Sequence, residues 1–384
     1  MEKVRLGDIA KLINGDRGKN YPSQADITED GEIPFVNAGH LNGRNIDFGD
    51  MNYISKEKYD MLSSGKFQRG DILYCLRGSL GKKAIISDDV CGAIASSLVI
   101  IRPDSERVIG EYLMFALDSP AIQEQLVKAN NGSSQPNLSA ASVCNYQIEL
   151  PDLSVQSEVV EKLVKVRNVI DSRDKEVQLL DDLIKARFVE MFRECTDEVL
   201  IGDVVSICRG ASPRPIQAFI TDDENGVNWI KIGDVSDNSL YITKTAEKIT
   251  QEGAKKSRAV HKGDFILSNS MSFGRPYILG IDGCVHDGWL ILSEFSTTFD
   301  ELYLYHALRS EHVQHQFSGK VNGATVKNLN SDLVKSTYIK VPEMNQQKVF
   351  AAFVKQVDKS KVAVKNALDH TKLLFDSLMQ QYFG

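Results

Sequence analysis

Long apolar runs are missing from this chain of 384 residues, and none approaches the roughly 20 residues a bilayer-spanning helix needs. The opening residues 1–10 mix charges without a signal-peptide core, so a cytoplasmic setting with no membrane contact is expected. Cysteine is sparse. Cys75, Cys91, Cys144, Cys195, Cys208 and Cys284 show no CxxC spacing, which argues against a zinc site or a disulfide framework and for buried thiols. The motifs HExxH and GxSxG are absent, as is the Asp/Asn-Pro-Pro-aromatic segment with which amino-methyltransferases hold a flipped base. Gly78-Ser-Leu-Gly81-Lys82 lacks both the four-residue gap and the following hydroxyl of a phosphate loop. His306, His312 and His315 fall on one expected helix with no carboxylate or third ligand at suitable spacing, and read as a solvated face. No catalytic residue and no metal ligand is nominated; the chain reads as non-catalytic. A basic excess is lacking too. The net charge of -7 is awkward for a nucleic-acid binder acting alone.

The chain does have two long amphipathic stretches. Over residues 152–192, apolar side chains at Val159, Leu163, Val166, Ile170, Val177, Leu180, Ile184, Phe188 and Met191 step by three and four. A helix of that length, roughly 60 Å, asks for a partner helix rather than a single core. Residues 343–383 repeat the pattern at Phe350, Phe353, Val357, Val364, Leu368, Phe375, Leu378 and Tyr382, with Ser360 and Thr371 weakening the middle. Pro151 and Pro342 precede the two helices.

The chain also repeats itself. Val4-Arg-Leu-Gly7-Asp8-Ile9 returns as Leu200-Ile-Gly202-Asp203-Val204, and Ile33-Pro-Phe35-Val-Asn-Ala-Gly39-His40 as Val227-Asn-Trp229-Ile-Lys-Ile-Gly233-Asp234. Arg69-Gly70-Asp71 matches Lys262-Gly263-Asp264, Gly81-Lys82 matches Gly274-Arg275, and Asn131-Gly132…Asn137-Leu138 matches Asn322-Gly323…Asn328-Leu329. One module is therefore used twice, each copy a globular part followed by a long helix. The boundaries read as 1–150, 151–196, 197–341 and 342–384. Strands are expected at residues 84–87, 97–101, 264–268 and 290–293, and helices at 110–129 and 300–317, which makes each globular part α+β. The Gly-Asp pairs read as turns before a strand or helix. Antiparallel packing of the two long helices would set two like domains at the ends of a rod, with approximate two-fold symmetry inside one chain. Duplex DNA is the natural partner for such an object.

Candidate DNA contacts cluster in loops at matching places. Arg17, Lys19 and Asn20 correspond to Arg209 and Arg214. Asn37, His40, Asn42 and Arg44 correspond to Lys231, Asp234 and Asn238. Arg77, Ser79 and Lys82 correspond to Asn269, Ser270, Ser272 and Arg275. The polar side chains differ between the copies, as two domains reading different sequences require.

The doubled order of domain and helix resembles the specificity subunit of type I restriction-modification systems. The resemblance rests on the Asn-Gly-Ser-Ser…Asn-Leu segment, on Pro151…Gln156 and Pro342…Gln347 at the helix starts, and on the helix ends at Phe188-Val-Glu-Met-Phe192 and Met379-Gln-Gln-Tyr-Phe383. It implies target recognition domains that each read half of a bipartite double-stranded DNA site, and helices that set the spacing. It also implies two docked methyltransferase subunits that bind S-adenosylmethionine, and it leaves room for restriction or translocase subunits. Their phosphate attraction would offset the acidic charge of this chain. A specificity subunit for a fused nuclease-methylase, of type IIB-like organisation, and a helical scaffold that does not bind DNA are the alternatives.

Overall fold

A computed structural model describes residues 2–130, 136–235, 240–269, 274–319 and 329–384. Two compact units divide the chain: residues 1–174 with 366–384, and residues 175–365. The paired Asn-Gly segments at 131–134 and 322–325 lie outside the described residues.

In the first unit, the strand Leu98–Pro103 lies between Ala10–Asn14 and Ile72–Cys75, and Lys83–Ile85 completes this antiparallel sheet. Its apolar run is continuous because both faces are covered. Val99 and Ile101 enter the core shared with the long helices, whereas Leu98 and Ile100 enter the core beneath a second sheet. That second sheet runs Tyr53–Ile54, Ile33–Val36, Gly92–Ile94, Lys66–Phe67, with the central pair parallel.

The second unit repeats the plan with one more strand per sheet. Trp289–Ser293 lies between Ser206–Arg209 and Phe265–Ser268, and Val227–Ile230 runs parallel to Gly283–Val285. Leu290 and Leu292 face the helices, and Trp289 and Ile291 the opposite core. The four expected strands are all present, displaced by a residue or two. The Gly-Asp pairs divide. Gly70-Asp71 and Gly263-Asp264 are turns before strands, the glycines taking φ of 87° and 95°, a left-handed region that suits glycine. Gly7-Asp8 and Gly202-Asp203 instead lie inside the one-turn helices Leu6–Ile9 and Ile201–Val204 and not in turns before them. Asp71 is buried and holds Arg102 through two 2.8 Å bonds.

Two expected helices are broken. Residues 110–129 form Gly110–Ala116 and Pro120–Ala129, because the Ser119 hydroxyl caps Ile122 N and Pro120 cannot continue a helix from before it. Residues 300–317 likewise split at Ser310 into Glu301–Arg309 and Glu311–Gly319. The Ser310 hydroxyl donates to Ala307 O at 2.7 Å and accepts from Val313 N at 3.4 Å. The three histidines therefore do not share one solvated helix. His306 is packed among Phe188, Tyr305 and Phe350, while His312 lies 3.2 Å from Glu198.

The long helices are Leu153–Phe192 and Met344–Phe383, 40 residues each. Inside each unit their segments run antiparallel. In the first unit the Arg167 guanidinium lies 4.8 Å from the Phe375 ring centroid and Arg173 donates to the Thr371 hydroxyl at 2.9 Å. In the second, Lys361 pairs with Asp181, and Phe188 and Phe350 meet edge to face. Every apolar position of the two expected stripes is buried or half-buried.

Each globular part is fastened to its helices by the same bonds. The Gln156 side chain is fully buried; its Oε1 accepts from Ile109 N at 2.8 Å, and its Nε2 donates to Arg107 O at 3.0 Å and Pro151 O at 2.8 Å. Gln347, equally buried, accepts from Asp300 N at 2.8 Å and donates to Thr298 O at 3.1 Å and Pro342 O at 2.8 Å. Tyr112 and Tyr303 donate at 2.8 Å to Glu149 O and Lys340 O. Buried backbone groups that neither sheet nor helix could satisfy are thus paired by side chains.

Candidate nucleic-acid interface

In the first unit the segment 95–97 links the loop after Ala10–Asn14, which meets it through Arg17 and Tyr21, to the segments 76–78 and 136–138. Leu76 N donates to Ser97 O and accepts Leu138 N at its own carbonyl, both at 2.8 Å, and Gly78 N donates to Pro136 O at 3.2 Å. In the second unit Asn269 N donates to Gly288 O at 3.1 Å, and Leu329 N donates to Asn269 O at 2.8 Å. The repeat thus converges the same loops in both copies. It also demands glycine at one point. A Cβ on Gly15 would sit 3.0 Å from Ile94 O, and one on Gly210 would sit 2.1 Å from His286 O, so these glycines serve close approach rather than flexibility.

Exposed cations crown both loops. Arg17 is exposed and donates to Ser96 O at 3.5 Å; Lys19 beside it is exposed, and Asn20 donates to Met61 O at 2.9 Å. The loop is pinned by Asp16, a buried carboxylate that accepts from Gly18 N, Ser63 N and Ser63 Oγ, each at 2.8 Å. These bonds hold its carboxyl below the usual range. Arg209 donates to Asp287 O at 2.9 Å, and Arg214 reaches the Asp287 carboxylate at 3.5 Å. Sequence reading missed both aspartates, because their partners lie 47 and 75 residues away.

The second group behaves differently. Asn37 caps a short 3-10 turn by accepting from Gly39 N at 2.7 Å, and His40 closes it by accepting from Asn37 N at 3.1 Å. His40 is buried, which pushes its pKa down. In the second unit Asp234 closes the same turn, accepting from Lys231 N at 2.7 Å, and Lys231 pairs with Glu247 at 2.5 Å. The alignment of these positions therefore reflects a shared turn. Asn42 is exposed on the hairpin formed by Leu41–Asn42 and Asn45–Ile46. Arg44 instead turns inward, paired with Glu111 and stacked 4.3 Å from the Phe115 centroid. That geometry makes it an anchor for the hairpin.

Of the third group, Arg77 and Ser79 are exposed, with Arg77 bridged to Asn137, and Lys82 donates to Ala38 O at 3.0 Å. Asn269 is buried and donates its amide to Asp287 O at 3.0 Å, while Arg275 is exposed. Asn238, Ser270 and Ser272 lie outside the described residues. Among the described residues no cluster of side chains could hold a metal ion, and no helix is long and apolar enough to cross a membrane.

A family model described as the type I restriction modification DNA specificity domain matches the chain twice, over residues 1–180 and 196–370. The chain belongs to this family. The specificity subunit of the type I restriction enzyme EcoBI from Escherichia coli is 26% identical over 171 residues, 44% of this chain and 36% of that protein. The MjaVIII specificity subunit of Methanocaldococcus jannaschii is 21% identical across 93% of this chain and 86% of its own length. Among solved structures, a chain from work on complex assembly and conformational transition of the type I R-M system matches with a TM-score of 0.63 at 19% identity. That match covers 100% of this chain and 97% of the other. The S subunit from M. genitalium matches with 0.57 at 13% identity, covering 100% and 96%. These last two likenesses are of fold. Two α/β specificity domains and two long helices that pair antiparallel within each unit are thus the architecture of a type I specificity subunit.

Proposed function

We propose that the two loop clusters each read one half of a bipartite duplex target, within the boundaries 1–150 and 197–341. The helical stretches 151–196 and 342–384 would set the number of unread base pairs. One observation carries the reading: the fold brings the same loops together twice and arms them with different polar side chains, Arg17, Lys19 and Arg77 in one copy, Arg209, Arg214 and Arg275 in the other. Phosphate contacts position a protein and differing side chains at base edges specify sequence, so the two copies would recognise different half-sites.

Methyl transfer would belong to two methyltransferase partners carrying S-adenosylmethionine, with cleavage in restriction subunits where these are present. Apolar side chains left exposed on the long helices support such docking: Val169, Leu373 and Leu374 in the first unit, Leu179, Leu183 and Val362 in the second. Exchange of residues 1–150 for the corresponding domain of another specificity subunit tests the reading. Mapping of methylated sites should show one half of the target replaced and the other retained. A simultaneous change in both halves would rule out independent readers.

A further inference from the structure

In the second unit one residue ties together three of the candidate contacts. The Asp287 carbonyl accepts from Arg209 Nε at 2.9 Å and Asn269 Nδ2 at 3.0 Å, while its carboxylate accepts from the Ser212 hydroxyl at 2.8 Å and lies 3.5 Å from Arg214 Nη2. Ser96 holds the matching position in the first unit, next to the residue that Leu76 N bonds just as Asn269 N bonds Gly288. The carbonyl has the same use in both copies, since Ser96 O accepts from Arg17 at 3.5 Å. The carboxylate is an addition made only in the second.

We propose that Asp287 is a specificity-determining positioning residue whose carboxylate restrains Arg214 from indiscriminate attraction to DNA phosphate. The inference rests on the DNA-reading assignment above. The Arg214 side chain is 82% exposed and Asp287 43% exposed, so both face solvent on the loop surface. A lone cation there would gain counterion-release affinity for every duplex alike. A fixed negative charge beside it subtracts from that shared term and leaves base-edge contacts to decide between sequences. The pair itself is weak and exposed, so a correctly placed phosphate or base can take Arg214 over.

The test uses the full chain assembled with its methyltransferase partners. D287N keeps an oxygen acceptor for Ser212 and loses the charge; D287S copies the first unit. Both should bind a scrambled duplex several-fold more tightly at low salt, with the slope of log K against log salt steeper by about one. Methylation mapping should show relaxed sequence at the half-site read by residues 197–341 and an unchanged other half. A D287N complex with wild-type salt slope and methylation pattern would overturn the inference while leaving the DNA reading intact, as would equal relaxation of both halves. A wild-type complex that failed to distinguish cognate from scrambled duplex would overturn the reading itself, and the role of Asp287 with it.

Discussion

The two units fasten their globular parts to the long helices with matching bonds, yet they fill the joint with opposite chemistry. Gln156 and Tyr112 in the first unit do what Gln347 and Tyr303 do in the second. At the next helical turn the likeness ends. Phe115, flanked by the guanidinium groups of Arg44 and Arg167, matches His306, which packs against Phe188, Tyr305 and Phe350 and feels the charges of Arg309, Lys361 and Asp181. Arg167 itself matches Asp358. Backbone groups left over by the fold impose the same remedy each time, whereas space between side chains can be filled in several ways.

The shared joint should give the largest effect. Gln156→Ala or Gln347→Ala strands one buried N–H and two carbonyls, at a cost of about 1–3 kcal/mol for each group left dry. We expect a loss of about 3 kcal/mol in either variant, confined to its own unit, when hydrogen-exchange protection is followed at the start of the affected helix. A large loss at one glutamine and none at the other would mean that the joints are not equivalent.

The glutamines show how far sequence carries. Their spacing after Pro151 and Pro342 was visible, as were the stripes, the repeat and the strand positions, because each is a local or periodic signal. Their three bonds were not, since the partners include residues 47 and 49 positions away. The same limit hid Asp16 and Asp287, and it turned Arg44 from a candidate DNA contact into an anchor on Phe115. Residue type marks what a side chain can do, and long-range packing decides which way it points.

A smaller contrast follows from the joint's filling. Burial lowers the His306 pKa to about 3, with Arg309 and Lys361 adding to the shift and Asp181 opposing it. The folded pKa lies below the unfolded value, so the unfolded chain binds the extra proton as pH falls. Stability is complete above about pH 6.5 and declines from there toward pH 3. Between pH 7 and 5 the second unit should lose about 2 kcal/mol through this group. His306→Phe, which copies Phe115, should remove that part of the slope. Protection of the Glu301–Arg309 helix, measured against pH in both proteins, checks it; parallel curves would exclude His306 as the cause.

The smallest change concerns Arg167 and Asp358, charges of opposite sign at the same place in the helix seam. Burial pushes the pKa of Arg167 down and that of Asp358 up, so in both it works against the charged form. Arg167 Nε is buried without a hydrogen-bond partner, and its compensation is stacking on Phe115 at 5.4 Å and Phe375 at 4.8 Å. Asp358 differs in having a direct ion-pair partner, Lys361 at 3.8 Å, whereas the carboxylates of Asp118, Asp171 and Glu111 act on Arg167 from beyond ion-pair distance. Arg167 has no direct ion-pair partner among the described residues, so replacing it by an apolar side chain of similar length removes a desolvation cost without leaving a buried partner charge unpaired, and methionine also packs well against aromatic rings. Arg167→Met should therefore leave the first unit within about 1 kcal/mol of wild type, or slightly more stable. Asp358→Met would take from Lys361 one of its two carboxylates, leaving the closer Asp181, and should be the worse of the two. Denaturation midpoints with unchanged slopes give the ranking; a loss of several kcal/mol in Arg167→Met would show that stacking of the guanidinium, not apolar filling, holds that joint together.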